Sequence, residues 1–378
     1  MSPKISFIEI TAREDFPYLG RPELGVFEPT LEAMKAQTIT NWGEWVIIDV
    51  LYDQRPDYFK NMKLPFHVKH VPAKPNMWIE QGLPGIATQY NKGIIYADGE
   101  LLFFTGEGFM FQPNFMERLW QHYQDGSFPL AWYFYDDSYA PTNQPEPMPN
   151  WKTAYPIETQ TPFPYNIAGY SGKLVALEHR YTQAFKDTKN DSFLAPWAWW
   201  FGCSSASLKA MLKINGFDQN FDGDRMLLDC DVGSRLELAG YGAKLRLFRD
   251  TFMARARPNV NVWNKNMDKE GATIKCNLPL LWHSRIFGHY RANEIKLEDS
   301  DIQWMKENFC GTRCEIRELC RKEHPWQFPF EHKEGYEGHK SRKELFEFWK
   351  NHQTQINLQT ERTKRIEDNP TYKEGTFT

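Results

Sequence analysis

Apolar and polar positions alternate in two rhythms along the first third of the chain. ISFIEI (5–10), EWVIIDVL (44–51), FHVKHV (66–71) and ELLFFT (100–105) are short apolar runs that predict strands. EWVIIDVL is continuously apolar up to Asp49, the pattern of a strand covered on both faces. Between the runs, EPTLEAMKAQ (28–37) places a Pro in the first turn of a helix, GLPGIATQYNKGIIYADG (82–99) predicts a loop and helix, and QPNFMERLWQHYQ (112–124) is amphipathic. Strands separated by helices at this spacing predict an α/β fold with a mostly parallel, doubly wound sheet and flanking helices. Ligands of such sheets sit at the carboxyl ends of the strands. Three of those ends are polar here: Thr11-Ala12-Arg13, Asp49 and Thr105-Gly106-Glu107-Gly108.

The rhythm breaks between 137 and 165, where Pro, Asn and Thr dominate, and a long surface excursion is expected. It resumes in APWAWWFGCSSASLKAMLKINGFD (195–218), where a strand delivers small residues, Ser205 or Ser207 caps a helix and Gly-Phe-Asp ends it. Leu228, Val232 and Leu236 then recur at helical spacing, with Asp229 and Asp231 near the start of that helix. LPLLWHSRIFGHY (278–290) sets His283 and Arg285 at the end of an apolar run. Beyond about 297 the chain is charged, helical in places, and closes in the polar stretch TERTKRIEDNPTYKEGTFT, expected to be partly disordered.

Composition narrows the class. Of 378 residues 41% are hydrophobic and 15% aromatic, including 14 Trp, so a large core can form. A net charge of −4 gives no global attraction to nucleic acid or anionic membrane. The first residues, MSPKISFIEITARED, carry no signal-peptide pattern and no window reaches the length of a membrane span, so a cytoplasmic protein is expected. Without a secretory signal the six cysteines predict thiols or metal ligands rather than disulfides. Cys310, Cys314, Cys320 and His324 cluster within fifteen residues and form a candidate structural zinc set, although the spacing is not a common finger pattern.

The order of these pieces resembles the GT-A-fold glycosyltransferases of the inverting, family-two-like group across roughly residues 4 to 290. The pieces are the first strand with its polar end, Gln37-Thr38 after the first helix, the strand ending in Asp49, ATQYNKGIIYADGELLFF, INGFDQNF, and DRMLLDCDVGSRLELAGY. The resemblance implies a GT-A domain over 1–296, with a nucleotide-sugar half (1–136) and an acceptor half (137–296), and a C-terminal helical, Cys-rich extension over 297–378. It implies transfer of a sugar, with inversion, from a UDP-linked donor to a hydroxyl of a glycan or of a hydroxymethylated DNA base. A nucleotidyltransferase or an inactive nucleotide-sugar-binding module are the alternatives.

Carried over by position, Thr11, Arg13, Asp49, Asn91 and Lys92 match nucleotide-binding residues, and Arg285 could reach the diphosphate. Glu107 matches the metal-holding acid of an Asp-x-Asp motif whose first acid is Thr105 here, and His283 resembles a late histidine ligand for Mn²⁺ or Mg²⁺. Asp229 matches the general base, with Asp231 and Asp224 as rivals. The chemistry explains the residue types. A diphosphate leaving group needs its charge neutralised, and an acceptor hydroxyl needs a carboxylate to take its proton.

Overall fold

In the computed structural model, the described residues are 4–12, 26–76, 85–136, 174–177, 191–200, 203–223, 227–255, 277–294, 296–309, 351, 353 and 355–368. Parallel strands β1 (Ile5–Thr11), β2 (Gly43–Asp49), β3 (His67–Pro72) and β4 (Leu101–Gly106) form one side of the central sheet. β5 (Phe109–Phe111), β6 (Phe128–Asp136), β7 (Leu174–Leu177), β8 (Ser192–Leu194), β9 (Ser204–Ser207) and β10 (Leu245–Arg255) complete it. The order is β3-β2-β1-β4-β9-β6-β10-β5, with β7 beside β6 and β8 beside β10. β9 is antiparallel to both β4 and β6, so β6 and its parallel neighbour β10 run in the same direction as β1 to β4.

Helices cover both faces, which is why β2 is buried at every position. Helix α1 (Glu28–Lys35) reaches β5 through the Thr30 hydroxyl, which donates to the Phe109 carbonyl at 3.1 Å. Helix α3 (Phe115–Gln124) sets Phe115 edge-on to Phe103, which stacks on Phe7. On the opposite face, α2 (Ile86–Tyr96) lies so close to β1 that a Cβ at Gly93 would stand 2.4 Å from Ile8 Cγ2. The second half adds α4 (Leu208–Lys213), α5 (Leu228–Leu236), α6 (Leu278–Ile286) and α7 (Asp299–Phe309). Ser207, rather than Ser205, caps α4: its Oγ accepts from the Ala210 N–H at 3.1 Å.

Two strands are hidden in the hydrophobic pattern. Pro129 near the start of β6 reads as a break. β10 carries Arg249 and Asp250 in its middle, where its register against β6 shifts between Leu247 and Phe252. Part of the polar stretch near the C-terminus is helical, as α8 (Leu358–Asp368), which packs on α2. Leu358 is fully buried, and Arg362 Nη1 donates to the carbonyls of Ile94 and Ile95, at 3.2 Å each, and of Ala97. A cation on the last carbonyls of α2 suits both the open acceptors and the helix dipole.

The halves meet at the other end of α2. Its N-cap, Gly85, has no side chain to offer, and Asp222 supplies the cap from 135 residues away. The Asp222 carboxylate accepts from the Ala87 N–H at 2.7 Å, the Thr88 N–H at 3.1 Å and the Thr88 hydroxyl at 2.5 Å. Asn91 of α2 grips the backbone of Phe217, its Nδ2 donating to the carbonyl at 2.8 Å and its Oδ1 accepting from the N–H at 2.8 Å. The preceding Gly216 has φ +73°, and a Cβ there would lie 2.3 Å from Asn91 Oδ1. Asp222→Ala leaves these donors buried without a partner and should destabilise the protein by about 2–3 kcal/mol. Urea unfolding checks this; an unchanged midpoint would show that the cap carries no stability.

Candidate active site at the carboxyl edge of the sheet

β1, β2 and β4 end side by side, with Thr11 in register with Asp49 and Ile10 with Gly106. The chain leaves β4 through Glu107 and Gly108, the latter at φ +76°, and re-enters the sheet as β5. Thr11, Asp49 and Glu107 are therefore gathered on one edge, as the sequence suggests, and all three are buried. Arg13 lies outside the described residues, as do Asp224 and the Cys310, Cys314, Cys320 and His324 cluster.

Asp49 is fully buried and accepts four hydrogen bonds. Arg55 binds it through Nε to Oδ2 at 2.7 Å and Nη2 to Oδ1 at 2.8 Å, the Leu51 N–H reaches Oδ1 at 2.8 Å, and His70 Nε2 lies 2.9 Å from Oδ2. Burial would raise this carboxyl, but the bonds from Arg55 and His70 and the guanidinium charge outweigh it and hold it below its ordinary 3.8. All of its roughly four acceptor positions are used, so a ligand N–H enters only by displacing one of these donors. Arg55, which the sequence pattern does not single out, thus belongs to the site, and its guanidinium also lies 4.8 Å from the Phe27 ring centre.

Glu9 is a second residue missed by the sequence reading. The alternation of ISFIEIT puts it on the face of Ile5 and Phe7, and it is fully buried there. Its Oε2 accepts from Trp45 Nε1 at 3.2 Å, and its Oε1 has no hydrogen-bond partner. Burial first, and then the charge of Glu107, push its carboxyl well above the ordinary 4.5.

In the second half of the chain, the acids of 218–231 divide by their partners. Arg235 is almost completely buried and binds Asp231 Oδ2 through Nε at 2.6 Å and Asp218 Oδ2 through Nη2 at 2.9 Å. It also donates to the Ser284 hydroxyl at 3.0 Å and the His289 carbonyl at 2.9 Å, tying α5 to α6. Burial and the Asp218 charge push the Asp231 carboxyl up, Arg235 pulls it back, and it settles at about 6. Asp229 is different: it sits half-buried in the first turn of α5, its Oδ1 accepting from the Cys230 N–H at 2.9 Å.

The remaining candidates have partners of their own. Asn91 is committed to Phe217 and shapes the edge rather than reaching into it. Lys92 is half-buried on α2, where burial and then the charge of Lys74 lower its pKa. Arg285 donates to the Ser234 hydroxyl at 3.1 Å and Glu237 Oε1 at 2.9 Å, over the Trp197 ring. His283 is buried with Nε2 3.0 Å from Asp301 Oδ1, and burial lowers its pKa. The donor set does not fit a preformed metal centre, because no group of three or more His, Cys, Asp or Glu able to hold an ion occurs among the described residues.

No family model and no curated protein matches the chain. Among solved structures it is similar to S. aureus TarS, at 12% identity over 86% of this chain and 47% of that one, with a TM-score of 0.44. It is also similar to S. aureus TarS 1-349 in complex with UDP-GlcNAc, at 10% identity over 85% of this chain and 78% of that one, with a TM-score of 0.46. The chain spans about half (47%) of the longer TarS structure. At such scores the assignment of function rests on the residues of this chain.

The Asp49 network sets a pH dependence. A carboxyl held below its ordinary 3.8 contributes stability that is present above that value and lost as pH falls through the lower folded value. Asp49→Asn should therefore be destabilised at pH 7, by roughly 2–4 kcal/mol for a buried pair that loses one charge. Its deficit should shrink at strongly acidic pH. Denaturant unfolding at several pH values checks this, and a deficit independent of pH would mean that the charge is not what Arg55 and His70 stabilise.

Proposed function

We propose that the protein is an inverting glycosyltransferase that moves a sugar from a UDP-linked donor to an acceptor hydroxyl. What supports this reading is two unlike carboxylates, one on the carboxyl edge and one at the start of α5. Glu107 sits in the glycine turn after β4, and Asp229 is half-buried at the start of α5, where the neighbouring Asp218, Asp222 and Asp231 are bonded into the fold. The edge offers a charged mouth for a diphosphate, and the first turn of α5 offers a half-buried carboxylate for an acceptor proton.

In this reading Asp229 accepts the proton of the acceptor hydroxyl as its oxygen attacks the anomeric carbon, the bond to the diphosphate breaks on the opposite face, and configuration inverts. Thr11 and the Asp49–Arg55 pair form the nucleotide side, with Arg13 as a further candidate from the sequence. Lys92 and Arg285 supply positive charge to the diphosphate, Arg285 only after leaving Glu237. Glu107, with His283 as the second candidate ligand, would need phosphate oxygens and water to complete a Mn²⁺ or Mg²⁺ shell. The acceptor is a glycan or, as the lesser alternative, a hydroxymethylated base in DNA. Thr105 in place of the first acid of the metal motif favours one second reading, a module that binds nucleotide sugars without turning them over.

Asp229→Asn and Glu107→Ala separate these roles. Asp229→Asn should bind UDP-sugar within about twofold of the parent and release UDP about 10²–10⁴-fold more slowly, the range expected for loss of a general base. Glu107→Ala should weaken UDP-sugar binding about tenfold. Calorimetric titration and a UDP-release assay give both numbers, and the reverse pattern would overturn the assignment.

A further inference from the structure

The opposite edge of the sheet carries a groove of about 1120 Å³, larger than the usual small-molecule pocket. It runs past the amino-terminal ends of β1, β4, β6 and β10 and the carboxyl end of β9, lined there by Lys4, Glu100, Phe128, Lys244 and Ser207. Seven-residue β1 separates this edge from Thr11 by about 20 Å. A ligand here is not in the candidate active site.

The charge of the groove is one-sided, although the chain as a whole is acidic. Lys4, Lys209, Lys213 and Lys244 line it, Lys209 and Lys213 being exposed. Of the acids, Asp98 is neutralised by Lys69, Arg362 and Arg365, and Glu100 accepts from the Tyr123 hydroxyl at 2.8 Å. Arg291 is held by Glu294, which leaves four lysines against the Glu100 carboxylate and a net positive groove.

Aromatic rings are interleaved with those lysines. Lys4 Nζ stands 5.8 Å from the ring centre of Trp120, Lys213 Nζ 5.0 Å from Tyr241 and Lys244 Nζ 5.6 Å from Phe128. Trp120 and Tyr241 are half-buried and line the groove, whereas Phe128 is buried. Spaced cations with ring faces between them match a chain that alternates anionic links with flat unsaturated groups. Duplex DNA hides its base faces, and a simple polyanion has none.

We propose that this groove binds single-stranded nucleic acid, its phosphates on the four lysines and its bases on Trp120 and Tyr241. The site is separate from the transferase reading and does not depend on it.

Fluorescence anisotropy of the full chain with labelled oligothymidine, at several salt concentrations, tests the proposal. Four phosphate contacts give a log–log salt slope of about −3 for a single strand, and Lys209→Glu/Lys244→Glu should flatten it by about 1.4. Trp120→Ala and Tyr241→Ala should each weaken oligothymidine about tenfold while leaving competition by inorganic polyphosphate unchanged. If either alanine variant has a lowered melting temperature, Trp120→Leu and Tyr241→Leu keep the packing volume and remove the ring. Absence of binding would overturn the proposal. So would aromatic variants that bind oligothymidine like the parent, or duplex or polyphosphate bound as tightly as the single strand.

Discussion

The contact between Asp222 and the N-terminus of α2 is the constraint on which the candidate active edge depends. The half carrying β1 to β4 and the half carrying α5 are far apart in sequence, and the candidate residues of each act together only if the two are held in fixed relation. One carboxylate on three donors of a helix start, backed by Asn91 on Phe217, fixes this relation alongside the β4–β9 pairing and the packing of Tyr90 and Phe104 on Phe217. Arg362 secures the other end of the same helix, so both termini of α2 are satisfied from outside its own segment.

The site is surrounded by buried charge, and its partners determine what each acid can do. Asp49 is fully bonded and held below its ordinary value by Arg55 and His70, burial pushes the Glu9 carboxyl up behind it, and Asp231 and Asp218 share the buried Arg235. Buried ion pairs of this kind fix geometry more than they add stability. Their effect here is to hold α5 and α6 rigidly, so that the half-buried Asp229 is presented from a fixed first turn. Such support suits the proton-accepting role proposed for Asp229, because proton transfer requires a fixed geometry.

Much of the sheet could be read from the sequence, because β1 to β4 are apolar runs with helices between them. β6 and β10 could not, since Pro129 and the Arg249-Asp250 bulge break the pattern. The polar ends at Thr11, Asp49 and Glu107 were legible as strand ends, but their electrostatic states were not. Arg55, His70 and Glu9 become part of the site only through register and burial, which a linear pattern cannot express. The same limit applies to Asp222, a charge in a loop until α2 is placed against it. The helical stretch Leu358–Asp368 reads as solvated because, apart from Leu358, its main contacts are made by arginines rather than apolar residues.

The central claim is that the carboxyl edge receives a nucleotide sugar. The most direct test is the melting temperature of the full chain against a panel of nucleotide sugars, each with Mn²⁺ and with a chelator. Ligand at a hundred times its Kd stabilises the folded state by about 2.7 kcal/mol, well within reach of the method. The account predicts a rise for one UDP-sugar, reduced in Glu107→Ala and retained in Asp229→Asn. No rise with any nucleotide sugar under either condition would contradict it.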